Sequence, residues 1–128
     1  MKHILIITSY GPSLINFRIS FIKKLISRGY KISVVSNEHR FSQNLQKKLK
    51  DLKIDINIIS LSRTSLNFFK DFKSIFEIYK IIKALKPNII ISYTIKPVIF
   101  TGLVLKFFKN IKYFPLITGL GTIFIEKK

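Results

Sequence analysis

Two short polar stretches carry the residue types that could hold an anion. The first, Ser9-Tyr10-Gly11-Pro12-Ser13, follows an apolar run and leads into Asn16 and Arg18. The second, Ser92-Tyr93-Thr94 with Lys96, follows Ile89-Ile90-Ile91 and leads into Pro97. Each reads as the end of a buried strand, a polar turn and the start of a helix. Ser13 has the oxygen that caps a helix N-terminus. Pro97 suits a first helical turn, where its missing N–H costs nothing and its φ is already helical. Helix N-termini offer free N–H groups and the positive end of the dipole. Arg18 and Lys96 add full charges, and Thr118 adds a hydroxyl from a third turn, Thr118-Gly119-Leu120-Gly121. Phosphate or diphosphate is the ligand this chemistry favours.

Acid–base chemistry needs a titratable group beside the reacting atom. Asp51, Asp55, Asp71, Glu77 and Glu126 are all expected away from these turns, and Glu38 is the nearest candidate. That disfavours a two-carboxylate glycosidase and, because no acidic pair closes the first strand, a phospho-receiver. There is no Cys, hence no disulfide, thiolate metal site or Cys nucleophile. His3 falls in the first strand and His39 in a polar loop, neither with a carboxylate to orient it as a ligand. No metal site and no cofactor are expected. The individual residues keep a plainer alternative. Gly11 lacks the Gly-x-Gly-x-x-Gly setting and fits an ordinary turn. Tyr93 and Thr94 could simply end a strand, Arg18 and Lys96 could be solvated surface, and Gly119 and Gly121 could serve a tight turn.

The elements that would position these turns alternate along the chain. Apolar runs at 2–8, 31–36 and 88–92 suit strands buried on both faces. The run at 54–61 alternates before turning apolar and suits a strand nearer an edge. A fifth strand is expected over 113–117, with Pro115 arguing against a central place, and a final apolar run covers 122–125. Helices are expected over 14–28, with Leu14, Phe17, Phe21 and Leu25 in one stripe; over 43–52, on Leu45, Leu49 and Leu52; over 68–86; and over 97–108. In the third, Phe72, Ile75, Phe76, Tyr79, Ile82 and Leu85 are read as the buried face. Gly29 and Pro87 stop helices. Strict β-α alternation implies right-handed crossovers. The fold class is therefore α/β: a Rossmann-like three-layer α/β/α domain with a mainly parallel sheet, spanning 1–128. In the common order 3-2-1-4-5 the first and fourth strands are neighbours, and their turns splay apart to leave a cleft.

Lys and Arg number 23 against six acidic residues, a formal charge of +17, while 48% of residues are hydrophobic. The joint abundance of Lys, Ile, Phe and Asn matches the composition an AT-rich genome produces. Equally, a basic surface fits an anionic partner: nucleic acid, lipid headgroups or a diphosphate. The apolar run at 4–7 is too short for a secretory signal, and 97–105 falls well short of the ~20 residues that span a bilayer. Membrane contact, if made, would be peripheral.

The stretches ILIITSYGPSLINFR (4–18), SYTIKPVIFTG (92–102) and ITGLGTIF (117–124), with LSRT at 61–64, together resemble the N-terminal domain of family 4 glycosyltransferases of the GT-B fold. Among these they are most similar to bacterial enzymes that extend polyprenyl-diphosphate-linked sugars for surface polysaccharides or protein glycans. The resemblance implies an acceptor-side domain facing a second Rossmann-like domain, which binds the nucleotide-sugar and carries a spaced pair of glutamates. It implies retaining, metal-free transfer, with a UDP-sugar as donor substrate. Carried over, Gly11, Ser13, Asn16 and Arg18 line the cleft, Tyr93, Thr94 and Lys96 stand by the acceptor or its diphosphate, and Thr118, Gly119, Leu120 and Gly121 approach the donor sugar. Many relatives place a histidine near Thr118, so that contact differs here. The glutamate pair does not occur in these residues, so the expectation is an incomplete N-terminal half that is inactive alone, its donor domain absent or supplied by a separate chain. The expected partners are a lipid-linked saccharide acceptor and the anionic inner face of the cell membrane, with a cytoplasmic, peripheral location. The competing reading is a basic α/β nucleic-acid-binding or interaction module without enzymatic activity; the aromatics sit at core spacing and no nucleic-acid-binding motif is visible.

Overall fold

Five short strands lie side by side, all parallel, in the order β3-β2-β1-β4-β5. A computed structural model describes residues 2–8, 19–37, 43–59, 68–93 and 95–116. The strands are β1 (His3–Ile7), β2 (Lys31–Asn37), β3 (Asp55–Ile59), β4 (Ile89–Tyr93) and β5 (Lys112–Leu116); between them run α1 (Ile19–Ser27), α2 (Gln43–Asp51), α3 (Phe68–Leu85) and α4 (Ile95–Val104). The strand order is the one expected, with the topological switch between β1 and β4.

Side chains alternate across the sheet, so each face has its own core. Ile4, Ile6, Ile32, Val34, Ile91 and Tyr93 point to one face and meet Ile22 of α1 and Leu49 of α2. Leu5, Ile7, Val35 and Ile90 point to the other and meet Ile78 and Ile82 of α3 with Phe100 and Val104 of α4. Every residue of β1 is buried, which is why its sequence is a continuous apolar run with no solvent-facing alternation. Among the described residues β5 lies at an edge of the sheet, and there Pro115 is tolerated, since an edge strand can lack a ladder donor.

The helix ends explain two shifted boundaries. Gly29, at φ +91°, closes α1 with a paired motif: its N–H reaches the Ile26 carbonyl at 2.9 Å, and the Tyr30 N–H reaches that of Leu25 at 3.2 Å. Lys53, at φ +61°, closes α2 in the same way, through Lys53 N–H to Lys50 O at 2.8 Å and Ile54 N–H to Leu49 O at 3.0 Å. Ile54 therefore belongs to the cap, and β3 begins one residue later than its apolar pattern indicates. α4 starts at Ile95, two residues ahead of Pro97, which still falls in the first turn where no N–H is needed. The helix also stops sooner than expected, passing at Val104 into a 3-10 turn, Leu105–Phe107, after which Phe108 is extended.

The largest correction concerns α3. Ser74, Ile78 and Ile82 are buried, in one i, i+4 line, while Phe72 and Phe76, expected inside, are 69% and 56% exposed. The helix is apolar around much of its circumference, so periodicity alone does not select the inward line.

Candidate functional site

The C-terminal edge of β1 and β4 is where the topology opens a crevice. Ile7 and Ser92 are partners in the ladder, so Thr8 and Tyr93 follow them at the edge. Thr8 is buried and its N–H donates to the Val35 carbonyl at 3.0 Å. α1 covers one face of the sheet and α4 the other.

Ser92 and Tyr93 turn to opposite faces. On the α3–α4 side, the buried Ser92 hydroxyl lies 2.6 Å from the Tyr113 hydroxyl, which itself donates to the Val98 carbonyl at 2.7 Å. With its proton on Val98, the Tyr113 oxygen accepts from Ser92. One phenol thus ties β4 and β5 to the first turns of α4 and fixes where that helix begins. Burial pushes the Tyr113 phenol above its ordinary value of 10.0, and hydrogen bonding with Ser92 opposes that shift. On the α1 side, Tyr93 is buried and forms, with Ile6, Phe21, Ile91 and Leu116, the wall of an apolar cavity of ≈ 360 Å³.

Lys96 is half-buried in the first turn of α4, and its Nζ is 3.2 Å from Asp71 Oδ1 of α3. This corrects the expectation that the edge lacks a carboxylate and that Asp71 is remote. Both helices run back from the C-terminal edge of the sheet, so their first turns meet there. That proximity could have been derived from the element order, because Asp71 occupies the first turn of its helix. Asp71 counters the Lys96 charge and holds the ammonium at the edge.

The remaining site residues, Gly11, Ser13, Asn16, Arg18, Thr94, Thr118, Gly119, Leu120 and Gly121, lie outside the described residues, as do Ser9, Tyr10, Glu38 and His39. Among the described residues no three His, Asp or Glu side chains gather as a metal site would require. His3 is at the opposite, N-terminal edge. Its Nε2 is 2.6 Å from Ser33 Oγ, and burial, followed by the nearby Lys31 charge, lowers its pKa below 6.5. Its place is structural.

A parallel sheet in this order, helices on both faces and a crevice at the β1–β4 switch define a Rossmann-like domain similar to those of GT-B glycosyltransferases. MurG of Acinetobacter baumannii superposes with a TM-score of 0.68 at 20% identity, over 91% of this chain and 34% of that one. CalG4, the calicheamicin glycosyltransferase, superposes at 0.64 and 13% identity, over 99% and 37%. The model of the glycosyl transferase 4-like family matches residues 4–128, and the chain belongs to that family. A curated relative from Campylobacter jejuni, N,N'-diacetylbacillosaminyl-diphospho-undecaprenol alpha-1,3-N-acetylgalactosaminyltransferase, is 32% identical over 117 residues, which are 91% of this chain and 30% of that protein. The chain thus spans about a third of the length of each of these three proteins.

Proposed function

We propose that the chain forms the acceptor-side half of a glycosyltransferase that moves a sugar from a nucleotide-sugar to a saccharide carried on a polyprenyl diphosphate. The carrying observation is the 32% identity, over nearly the whole chain, to a relative named for a diphospho-undecaprenol-linked substrate. In this reading the donor, a UDP-sugar, is bound mainly by a second domain, and transfer retains anomeric configuration. The enzyme works at the inner face of the cell membrane, where its acceptor is anchored. The glycan product is a surface polysaccharide or a protein glycan.

The edge supplies the chemistry of acceptor holding. The first turn of α4 directs backbone N–H groups and its dipole toward the crevice. Lys96, kept in place by Asp71, offers a cation whose position is set before the ligand arrives, and this limits the side-chain entropy lost on binding. By the family resemblance, this reading also assigns Gly11, Ser13, Asn16, Arg18 and Thr94 to acceptor binding and Thr118, Gly119, Leu120 and Gly121 to the donor, residues that lie outside the described ones.

Titrating the chain with a short-chain, water-soluble polyprenyl-diphosphate saccharide tests the reading. Saturable binding that is weakened by Lys96→Met is the expected result. Steeply salt-dependent association with RNA, and none with the diphosphate saccharide, would replace it with the nucleic-acid-binding alternative.

A further inference from the structure

Tyr113 is the residue whose side chain holds β5 to the body of the domain. Of the five residues of that strand it alone is half-buried; Lys112, Phe114, Pro115 and Leu116 are exposed. Its ladder partner on β4 is Ile90, so its ring lies on the α3–α4 side and packs against the buried cluster there. The ring passes beside Gly102 of α4, where a Cβ would stand 4.0 Å from Tyr113 Cε2. A side chain longer than a methyl at that position would meet the ring. With a glycine there, the ring lies flat along the helix and carries its hydroxyl toward the first turn.

There the hydroxyl donates to the Val98 carbonyl at 2.7 Å. Bonds within a helix run along its axis and leave the helix free to turn as a body above the sheet. A carbonyl has a second lone pair, and the phenol uses it from the strand side, which fixes the rotation of the turn about that axis. The other contacts beneath α4 are Pro97, Phe100, Thr101 and Val104, all buried, and apolar burial has no direction. Rotation matters because this turn has few donors. Ile95 and Lys96 have unpaired N–H groups, and Pro97, the third residue, has none. Hydrogen bonds weaken steeply when misaligned, so two N–H groups and one ammonium serve a single anion only if the turn is correctly set. Asp71 holds the Lys96 side chain from α3; Tyr113 holds the backbone from β5.

We infer that Tyr113 is a positioning residue of the anion site: through its bond to Val98 it sets the first turn of α4 so that the Ile95 and Lys96 N–H groups and the Lys96 ammonium converge on one diphosphate. The inference deepens the reading above and rests on it for the ligand. Tyr113 acts through the helix backbone and not by contact with the anion. A helix N-terminus that is already aimed loses less freedom when the ligand arrives, and that is where the affinity comes from.

Titration with inorganic diphosphate, followed by the NMR signals of the Ile95 and Lys96 amides, tests this. Tyr113→Phe keeps the ring and removes the bond, and should need about three- to tenfold more diphosphate to reach half-saturation than the native chain. Ile22→Val deletes one buried methyl group on the other face of the sheet. It costs stability of a similar order and should titrate like the native chain. An unchanged midpoint in Tyr113→Phe would make the phenol a structural tether only, and an equal weakening in Ile22→Val would mean that affinity merely follows stability; either result overturns the inference. A second measurement needs no substitution and holds even if Tyr113→Phe does not fold. Because the phenol makes the α4 turn and β5 open together, diphosphate should slow hydrogen exchange at the Lys112 amide, which is bonded to the Asn88 carbonyl at 3.1 Å away from the anion. Protection of Lys96 with no slowing at Lys112 would overturn the inference. The two readings fail differently: a native chain whose amides ignore diphosphate loses the acceptor site and its positioning residue together, whereas native and Tyr113→Phe chains that bind equally keep the site and lose only the role of Tyr113.

Discussion

Asp71 Oδ1 lies 3.2 Å from Lys96 Nζ, and both side chains are largely withdrawn from water, at 20% and 13% exposure. The pair bridges the first turns of α3 and α4 at the edge where the crevice opens. A carboxylate near a helix N-terminus is favourable in itself, and here it also fixes the cation assigned to the acceptor diphosphate. Structure and proposed binding therefore draw on the same two groups.

Removing either partner leaves a partly buried charge uncompensated. Asp71→Asn and Lys96→Met should each lower the unfolding free energy by about 1–3 kcal/mol. The double variant should lose less than the sum, as expected of groups in direct contact. Urea titrations of the four proteins measure this. Inorganic diphosphate separates the roles: Asp71→Asn should bind it severalfold more tightly, because losing a competing carboxylate 3.2 Å from Lys96 outweighs losing the positioning it gives, and Lys96→Met more weakly.

Tyr113 makes a second, uncharged link at the same edge. Tyr113→Phe keeps the ring but leaves the buried Ser92 hydroxyl without its partner and removes the bond to Val98. A loss of about 1–3 kcal/mol is expected. The phenol's pKa is higher in the folded state than its ordinary value of 10.0. Its contribution is thus complete below pH 10 and is lost as pH rises through the folded value. Urea midpoints of the two proteins from pH 8 to pH 11 should show an alkaline decline in the native chain that is reduced in Tyr113→Phe.

Much of this architecture is written in the sequence because each strand is a short apolar run set between helices of a different period. β1 and β4 are buried on both sides, so they read as Ile-Leu-Ile-Ile and Ile-Ile-Ile, and the β-α alternation leaves few possible orders. What escapes a one-dimensional reading are choices made in three dimensions. Phe72 and Phe76 look like core because aromatic residues at helical spacing usually are, yet the sheet meets α3 along Ser74, Ile78 and Ile82. Tyr113 looks like a plain strand residue, and its partners are 21 and 15 positions away. Asp71 and Lys96 are 25 apart and meet because two parallel helices start at one edge. Tyr93 and Lys96, which spacing put in the turn between strand and helix, are the last residue of β4 and part of the first turn of α4; the Tyr93 side chain enters the core and Lys96 has a counter-ion.

His3 gives the fold an acid-sensitive position far from the crevice. Burial and the Lys31 charge lower its folded pKa below 6.5, so folding favours the neutral ring. Its contribution is complete above the unfolded value and is lost as pH falls through the folded one, levelling off below that. A single group can contribute a slope of at most about 1.4 kcal/mol per pH unit. Chemical denaturation between pH 7.5 and pH 4.5 should show a steeper fall for the native chain than for His3→Gln.

Lys53 is a position where the sequence is poorer than the backbone it adopts. The cap of α2 requires a left-handed residue, and φ is +61° at a side chain with a Cβ. The cap is otherwise well made: both hydrogen bonds are at 3.0 Å or less, and Leu49 and Ile54, its apolar pair, are buried in the α1–α2 core. At the corresponding place in α1 the chain uses Gly29. Lys53→Gly removes the steric conflict of the left-handed conformation, which costs roughly 1–2 kcal/mol for an L-residue, and gives back part of this as extra freedom in the unfolded chain. A net stabilisation of about 0.5–1 kcal/mol is expected, read as a higher urea midpoint with an unchanged m-value. Gly29→Ala should move the midpoint the other way by a similar amount, because φ +91° opposes the added methyl although nothing lies within 4 Å of it. If Lys53→Gly instead lowered the midpoint, the Lys53 side chain would have to stabilise the native state by more than the strain its backbone carries.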